Sequence, residues 1–505
     1  LSEMDLEIGA KEIVILRSSI KYNVARKNID KFFDALAKKH QMRIEDLEYL
    51  GISDFGMSSL GYLEKDIGGY KGIINVDSLS KVSLSWKDKD GKEQKSIPSK
   101  IKTKCKKQIS ELKGIQKDIK KSLLAQIEMT EGYFVKKPKN LRMPFSEWKE
   151  QYIEHHLVGL IGRDLIWQFF LKGKKSELGI FFKGSIVGIN QTVIAEDDIQ
   201  YVELWHPINS EPTVVNQWQS YILNNEILQP FKQAFREIYR LPEDSDEQQQ
   251  VNNFAGHMLF PNVLHAVATG KKWKQIRGGA WDGGSEIEAT KIYKDHSIMA
   301  YFDIEPDEEA GPELSGMHYV VRSKHLCFMK RSKSGGGLSD EERYYQGETV
   351  SLSKVPPIIY SETMRDIDIF VSSANVFHQK NWDNPNSRNQ WIKECFGTLT
   401  ESGLIRKQVL SELAPKLAIH NKLKIDDRFI FVEGKLKTYK IHIGSACILM
   451  EPDDKYLCIV KSQNKTKKMF LPFEGDGILS EVLSKAMLLV ADDKINDETI
   501  SSQII

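Results

Sequence analysis

The chain has 505 residues, 41% of them hydrophobic, and its 71 basic and 70 acidic residues leave a formal charge of +1. That length exceeds what one core serves and calls for two to four domains of roughly 100 to 200 residues. The near-zero charge excludes a global field drawing the protein to nucleic acid or membrane, so any electrostatic function is local.

Five scattered cysteines, Cys105, Cys327, Cys395, Cys447 and Cys458, form no CxxC pair, which argues for a reducing, cytoplasmic location and against structural zinc. The most apolar long run, Leu157 to Leu171, is interrupted by Arg163, Asp164 and Gln168. It falls short of the roughly 20 apolar residues a spanning helix needs, so no membrane partner is expected. The chain opens at Leu1 without a signal-peptide pattern, as a fragment or processed piece of a longer polypeptide would. The upstream region of that polypeptide is then one expected partner.

In chain order, residues 1 to 75 read as mainly helical, with Ile29, Phe32, Phe33, Leu36 and Ala37 on one face, before a Gly-rich stretch from Gly51 to Gly72. Val82, Leu84 and Trp86 alternate with polar residues ahead of the turn Asp88 to Lys92, which reads as a hairpin tip. Apolar residues from Ile101 to Ile127 then recur every three or four positions and predict an amphipathic helix of about 30 residues. Lys81 to Lys121 holds 14 lysines against five acidic residues. Such a face either tracks a phosphate backbone or is simply solvated; without arginine it reads no bases.

Ser146 to Leu171 is read as one broken helix or two, and Phe181 to Glu203 as strands. Two helices are predicted next, Val214 to Leu223 and Ile227 to Tyr239, with Pro230 in the first turn of the second. A helical stretch from Gln248 to Ala268, broken at Pro261, is followed by strands to about Met329 and a loop from Lys330 to Asp340. The end of the chain reads as four strands, Phe429 to Val432, Thr438 to Ile443, Ala446 to Met450 and Tyr456 to Val460, and a helix after Gly475-Asp476-Gly477. The fold class is therefore multidomain α+β, with mainly antiparallel sheets and a long basic helix near residues 100 to 130. The segments are 1–75, 76–190, 191–345, 346–425 and 426–505.

The densest chemistry is in Pro356 to Val371, PPIIYSETMRDIDIFV. Ser361 is expected to cap a short helix starting at Glu362, on which Met364, Ile367, Phe370 and Val371 form the buried face and Glu362 pairs with Arg365. Glu362, Arg365, Asp366 and Asp368 read either as an ion-pair network clamping the helix to its neighbour or as a catalytic group in which two of the carboxylates face a cleft. On the predicted helix Ile227 to Tyr239, Gln229, Lys232, Gln233 and Arg236 fall three or four apart, a stripe of donors for an anion or for a buried hydrogen-bond network. Lys271, Lys272, Trp273, Lys274 and Arg277, with Trp281, mix cations and aromatics as a base-stacking loop would, or anchor a loop to the core.

Phosphate-loop, Rossmann, zincin and EF-hand motifs are all missing, and no motif names a cofactor. No metal site is predicted: His257 and His265, on one helix face, would stand roughly 12 Å apart. His442, Ser445 and Cys447 alternate along a strand and present no ready nucleophile couple.

Several long phrases, among them WKDKDGKEQKSIP at Trp86 to Pro98, LWHP at Leu204 to Pro207, QPFKQAFREIY at Gln229 to Tyr239 and GKLKTYKIHIGSACILMEPDDKYLCIV at Gly434 to Val460, resemble the bacterial domain of unknown function found in molybdate-metabolism-regulator-like proteins. So do PPIIYSETMRDIDIFV and FLPFEGDGILSEVLSKAMLLVADDKI at Phe470 to Ile495. The resemblance implies the C-terminal part of a larger cytoplasmic protein, often with helical repeats or a WGR module upstream, and no established reaction. It adds His206 to the candidates. The expected function is a regulatory or interaction module of a stress or defence protein, contacting nucleic acid or an acidic protein. The alternatives are an enzyme acting on a phosphate-bearing or nucleotide substrate through Gln229 to Arg236 and Glu362 to Asp368, and a purely structural platform.

Overall fold

The computed structural model describes residues 23–42, 51–79, 81–136, 142–243, 245–276, 287–307, 318–332, 342–375, 392–393, 395–459, 471–473 and 475–505, with residues 6, 9, 10, 13 and 47 besides. Helix α1 (Asn23–His40) buries Leu36 and Ala37 but leaves Phe32 57% exposed, so the predicted stripe is narrower than expected. Strands β1 (Tyr62–Ile67), β2 (Tyr70–Ser78), β3 (Lys81–Lys87) and β4 (Glu93–Gln94) form an antiparallel meander. The Asp88 carboxylate accepts from the amides of Asp90 and Lys92 and shapes the predicted hairpin tip. Helix α2 (Lys106–Gly132) is the long amphipathic helix, separated from a short turn of helix at Ser99–Lys102. Ile109, Leu112, Ile119 and Leu123 bury its apolar stripe against the meander.

The region predicted as one or two helices up to Leu171 is helical only to Gly162. Ile166 to Leu171 is instead a strand, β6, in a sheet ordered β5 (Met143–Pro144), β9 (Ile199–Leu204), β6, β7 (Glu177–Phe182), β8 (Ser185–Val187). The run IWQFFL is β-branched and aromatic, and a central strand buried on both faces carries no period-two signal to distinguish it from a buried helix.

Helix α3 (Pro212–Asn224) forms as predicted, but Ile227 to Tyr239 is not a helix. Pro230 disfavours helix at Gln229, and that residue instead donates its amide to the Pro472 carbonyl, 3.0 Å away. The predicted helix from Gln248 is likewise two short strands, β10 (Gln250–Val251) and β11 (Met258–Leu259), and only the part after Phe260 is helical, α4 (Pro261–Gly270). His257 therefore lies before the helix that carries His265.

Strand β15 (Val321–Lys330) pairs with both β10 and β11 and continues through β14 (Ile298–Pro306) and β13 (Ile287–Tyr293) to β12 (Lys274–Ile276). Helix α5 (Pro357–Ala374) packs on this sheet. The loop predicted at Lys330 to Asp340 lies, from residue 333, outside the described residues. After α6 (Glu401–Leu413) comes a five-stranded meander, β16 (Leu423–Asp426), β17 (Phe429–Glu433), β18 (Thr438–His442), β19 (Ile448–Met450) and β20 (Lys455–Leu457). Helices α7 (Gly477–Leu489) and α8 (Glu498–Ile504) follow it, and Asp476 caps α7 by accepting from the Leu479 amide at 2.9 Å. Three large cores result: meander with α2 and the second sheet, α5 with the third sheet, and α3, α6 and α7 with the C-terminal sheet. The architecture is multidomain α+β with mostly antiparallel sheets.

Candidate functional site: a buried ionic network

Helix α5 starts at Pro357, whose ring suits the first helical position, so Ser361 is one turn inside and does not cap. Its hydroxyl accepts from the Tyr239 amide at 3.0 Å instead. From Ile359 to Asp368 every residue of the helix is buried: Met364 and Ile367, with Phe370 and Val371 beyond, face the apolar core as predicted, while Glu362, Arg365, Asp366 and Asp368, each under 7% exposed, are buried as well. Buried charges need partners: Glu362, Arg365 and Asp366 have ionic ones, and Asp368 is held by neutral hydrogen-bond donors.

Glu362 does not pair with Arg365. Its carboxylate takes a two-pronged bond from Arg236, Nε to Oε1 at 2.6 Å and Nη2 to Oε2 at 2.5 Å, and lies 3.1 Å from His206 Nε2. Arg236 also donates through Nη1 to Glu131 (2.9 Å) and to the Lys232 carbonyl (2.8 Å). Arg365 reaches Glu237 (2.7 Å) and Glu131 (3.5 Å). Lys232 bridges Glu237 and Asp476 at 2.6 and 2.8 Å, and Asp476 is held again by Arg406 at 2.9 Å. One continuous network thus runs from the end of α2, through the 229–237 segment and α5, to the cap of α7.

Burial alone would raise the carboxylates of Glu131, Glu237, Glu362 and Asp476. The facing Arg and Lys cations outweigh it and hold all four below the ordinary range, Glu131 at about 2. Burial pushes His206 down, so a neutral imidazole fits its place beside Glu362, with Nε2–H donating to the carboxylate while Nδ1 accepts from the Ile208 amide at 3.1 Å. The edge of Phe134 lies against its ring, centroids 4.7 Å apart.

The two glutamines of the stripe are structural. Gln233 bonds both backbone groups of Ile166, accepting from N (2.8 Å) and donating to O (2.7 Å), and so stands in for a neighbouring strand residue beside β6; it also donates to the Trp205 carbonyl. Gln229 accepts from the Ala234 amide and donates to Gln233. The four stripe residues are all buried, as a network reading requires, but a looped backbone brings them together and not a helix face.

A second cluster surrounds Asp366, whose Oδ2 accepts from Trp273 Nε1 (2.8 Å) and Lys291 Nζ (2.6 Å). Trp273 is buried, with its ring edge on Phe370, so the aromatic of the predicted stacking loop is an anchor. Burial pushes Lys271 down; Lys272 pairs with Glu128 on α2, and Lys274 is exposed. Arg277 and Trp281 lie outside the described residues. Asp368 accepts from the Tyr239 hydroxyl (2.8 Å) and the Ser402 amide (3.3 Å). Glu131, Glu237, Lys291, Arg406 and Asp476 were not singled out from the sequence. Glu237 stands next to Arg236, and Glu131 is an acid in the last turn of a helix, where the dipole disfavours it.

Among the described residues, none of the network's side chains carries a buried polar atom without a hydrogen-bond partner. Two cavities, of about 690 Å³ against residues 247–253 and about 720 Å³ on the C-terminal sheet, are lined by none of these ionic residues. Among the described residues no group of His, Cys, Asp and Glu is placed to hold a metal ion, and no helix is long and apolar enough to cross a membrane. The Ser445 hydroxyl donates to the Cys395 carbonyl at 2.6 Å. Its single proton is thereby committed, and His442, which burial holds at about 4, receives none from it.

Residues 91–273 match a family model described as a domain of unknown function (DUF4132), and residues 404–504 match a second one (DUF7737). Neither description names a function. No curated protein and no solved structure matches the chain. The network joins the two matched segments: Arg236 and Glu131 lie in the first, Arg406 and Asp476 in the second, and Glu362 and Arg365 on α5 between them.

Proposed function

We propose that this chain is an interaction module of a larger protein, in which the buried ionic network locks the units together and the lysine face of the first meander and α2 contacts a nucleic-acid backbone. One observation carries the reading. Of the 14 lysines from Lys81 to Lys121, all but Lys87 are exposed, and apart from Lys81 with Asp77 none forms an ion pair among the described residues. Unpaired lysines on a rigid helix release condensed counterions when they meet phosphates. With no arginine there and Trp86 buried, contact is with the backbone and is sequence-independent.

The resemblance to molybdate-metabolism-regulator-like proteins supports a bacterial, cytoplasmic setting, as a regulatory part of a stress or defence protein. The enzymatic alternative loses its support in Glu362, Asp366 and Asp368, because each is buried and spent on internal partners.

The test is fluorescence anisotropy with short duplex and single-stranded DNA and RNA, titrated in salt. Each phosphate contact to duplex DNA adds about 0.9 to the slope of log affinity against log salt. Replacing Lys113, Lys117, Lys120 and Lys121 with Gln is expected to flatten the slope by about 3 to 4. No binding at low salt overturns the reading; capture of an acidic protein by the same lysines in that case identifies the alternative partner.

A further inference from the structure

Beyond Glu237 the chain leaves the ionic network and walls the cavity of about 690 Å³, within the range of small-molecule sites. Three elements line it: the segment with Arg240 and Pro242, the stretch Glu247 to Asn253 that contains β10, and Tyr360 in the first turn of α5. These walls are held in place by bonds outside the cavity. The Tyr239 amide donates to the Ser361 hydroxyl at 3.0 Å, tying the first wall to the third, and the Leu352 amide donates to the Gln248 carbonyl at 2.9 Å, fixing the second. A cleft with fixed walls loses little freedom when a ligand enters.

The lining selects the ligand. Gln248-Gln249-Gln250-Val251-Asn252-Asn253 sets five amides in six positions, and Gln249, Gln250, Asn252 and Asn253 are exposed. An amide presents donors and an acceptor together, as a hydroxyl does, and costs far less than an ion to take out of water. Arg240 and Glu247 are the only charges in the lining and are opposite in sign, so the cleft as a whole is neutral.

Tyr360 supplies the deciding group. It is 3% exposed, and among the described residues its hydroxyl has no hydrogen-bond partner. That oxygen is not sealed off either, so it opens on the cavity that the residue lines. Burial raises the phenol above its ordinary range, which keeps it an O–H that both donates and accepts. Its ring is set against Phe328, centroids 6.3 Å apart.

We propose that this cleft is a carbohydrate-binding site, in which the Tyr360 hydroxyl and the Arg240 guanidinium meet sugar oxygens, Glu247 accepts from sugar hydroxyls, and the amides exchange hydrogen bonds with the rest. An uncharged ligand covered in hydroxyls matches a neutral, amide-lined cleft with an unpaired hydroxyl at its base. The same chemistry is presented by a free disaccharide and by a glycan chain.

The test is retention of the labelled full chain on a glycan array, followed by calorimetric titration with maltose, trehalose, diacetylchitobiose and the disaccharide unit of any glycan retained. Glycylglycine is the zwitterionic control for the Arg240 and Glu247 pair of charges. At least one sugar is expected to bind, one per chain, about tenfold or more tighter than glycylglycine. Tyr360→Phe removes only the hydroxyl and is expected to weaken that sugar about tenfold with an unchanged urea midpoint, because the hydroxyl holds nothing inside the protein. Arg240→Gln, at an exposed position, is expected to weaken it by a similar factor. A glycan chain bound tighter than its disaccharide unit identifies a chain as the source, and equal affinity a free sugar. No sugar retained on the array or bound at millimolar ligand, glycylglycine matching the best sugar, a lowered midpoint in Tyr360→Phe, or folded Tyr360 and Arg240 variants that bind as well as the parent would each overturn the proposal.

Discussion

Replacing Arg236 with Met tests the ionic network at its centre. Arg236 is 2% exposed and makes four hydrogen bonds, two to Glu362, one to Glu131 and one to the Lys232 carbonyl. Met keeps much of the apolar stem but leaves the Glu362 carboxylate with His206 alone and Glu131 with Arg365. Removing one partner of a buried pair costs about 3–5 kcal/mol, whereas exchanging both for apolar residues of similar volume is often neutral. Arg236→Met is therefore expected to destabilise α5 by about 3–5 kcal/mol, and the double variant with Glu362→Leu to recover about half of that or more. A chain of several domains need not unfold in one step, so the quantity to follow is hydrogen exchange across 357–374, whose opening free energy reads the clamp directly. A loss under about 1 kcal/mol in the single variant, or no recovery in the double, would refute the reasoning.

Trp273→Phe keeps the ring against Phe370 but removes the Nε1–H bond to Asp366; a bond to a charged acceptor is worth about 1.5–3 kcal/mol, to be seen as a lower urea midpoint with unchanged slope. Acid weakens the network: the folded carboxylates of Glu131, Glu237, Glu362 and Asp476 lie below their unfolded values near 4. Their stabilisation is complete above about pH 5 and drains as pH falls toward 2; protection of 357–374 that stays flat from pH 7 to pH 3 contradicts this. Asp164 runs the other way, since burial raises it to about 6, so Asp164→Asn is expected to gain stability at pH 7 and little at pH 4 in urea denaturation. Gly162→Ala would set a Cβ 2.2 Å from the Tyr152 carbonyl oxygen, and overpacking against backbone is expected to cost about 1–3 kcal/mol or more, read as a drop in melting temperature.

Local pattern alone fixed the elements whose signal is periodic and uninterrupted. The apolar stripe of α2, the hairpin at Asp88 and the C-terminal strands with the Gly-Asp-Gly entry to α7 were legible because amphipathic spacing, turn residues and caps act within a few residues of themselves. The same logic failed where burial is complete. Ile166 to Leu171 is a strand buried on both faces, so no period marks one of them, and Ile227 to Tyr239 keeps helical spacing while its glutamines bond backbone groups of β6 and the segment itself.

The charged residues of PPIIYSETMRDIDIFV could be chosen from the sequence because four charges in an apolar run must find partners. Their partners could not be. Arg236 and Glu362 are separated by 126 positions and Lys232 and Asp476 by 244, and ion pairing carries no sequence-local trace, since Coulomb attraction depends on distance in space and on the dielectric around it. The sequence by itself showed that charge is concentrated in an apolar run here; which cations neutralise Glu362 and Asp366, and that Asp368 is held by Tyr239 and Ser402 instead, was decided by the tertiary structure around α5.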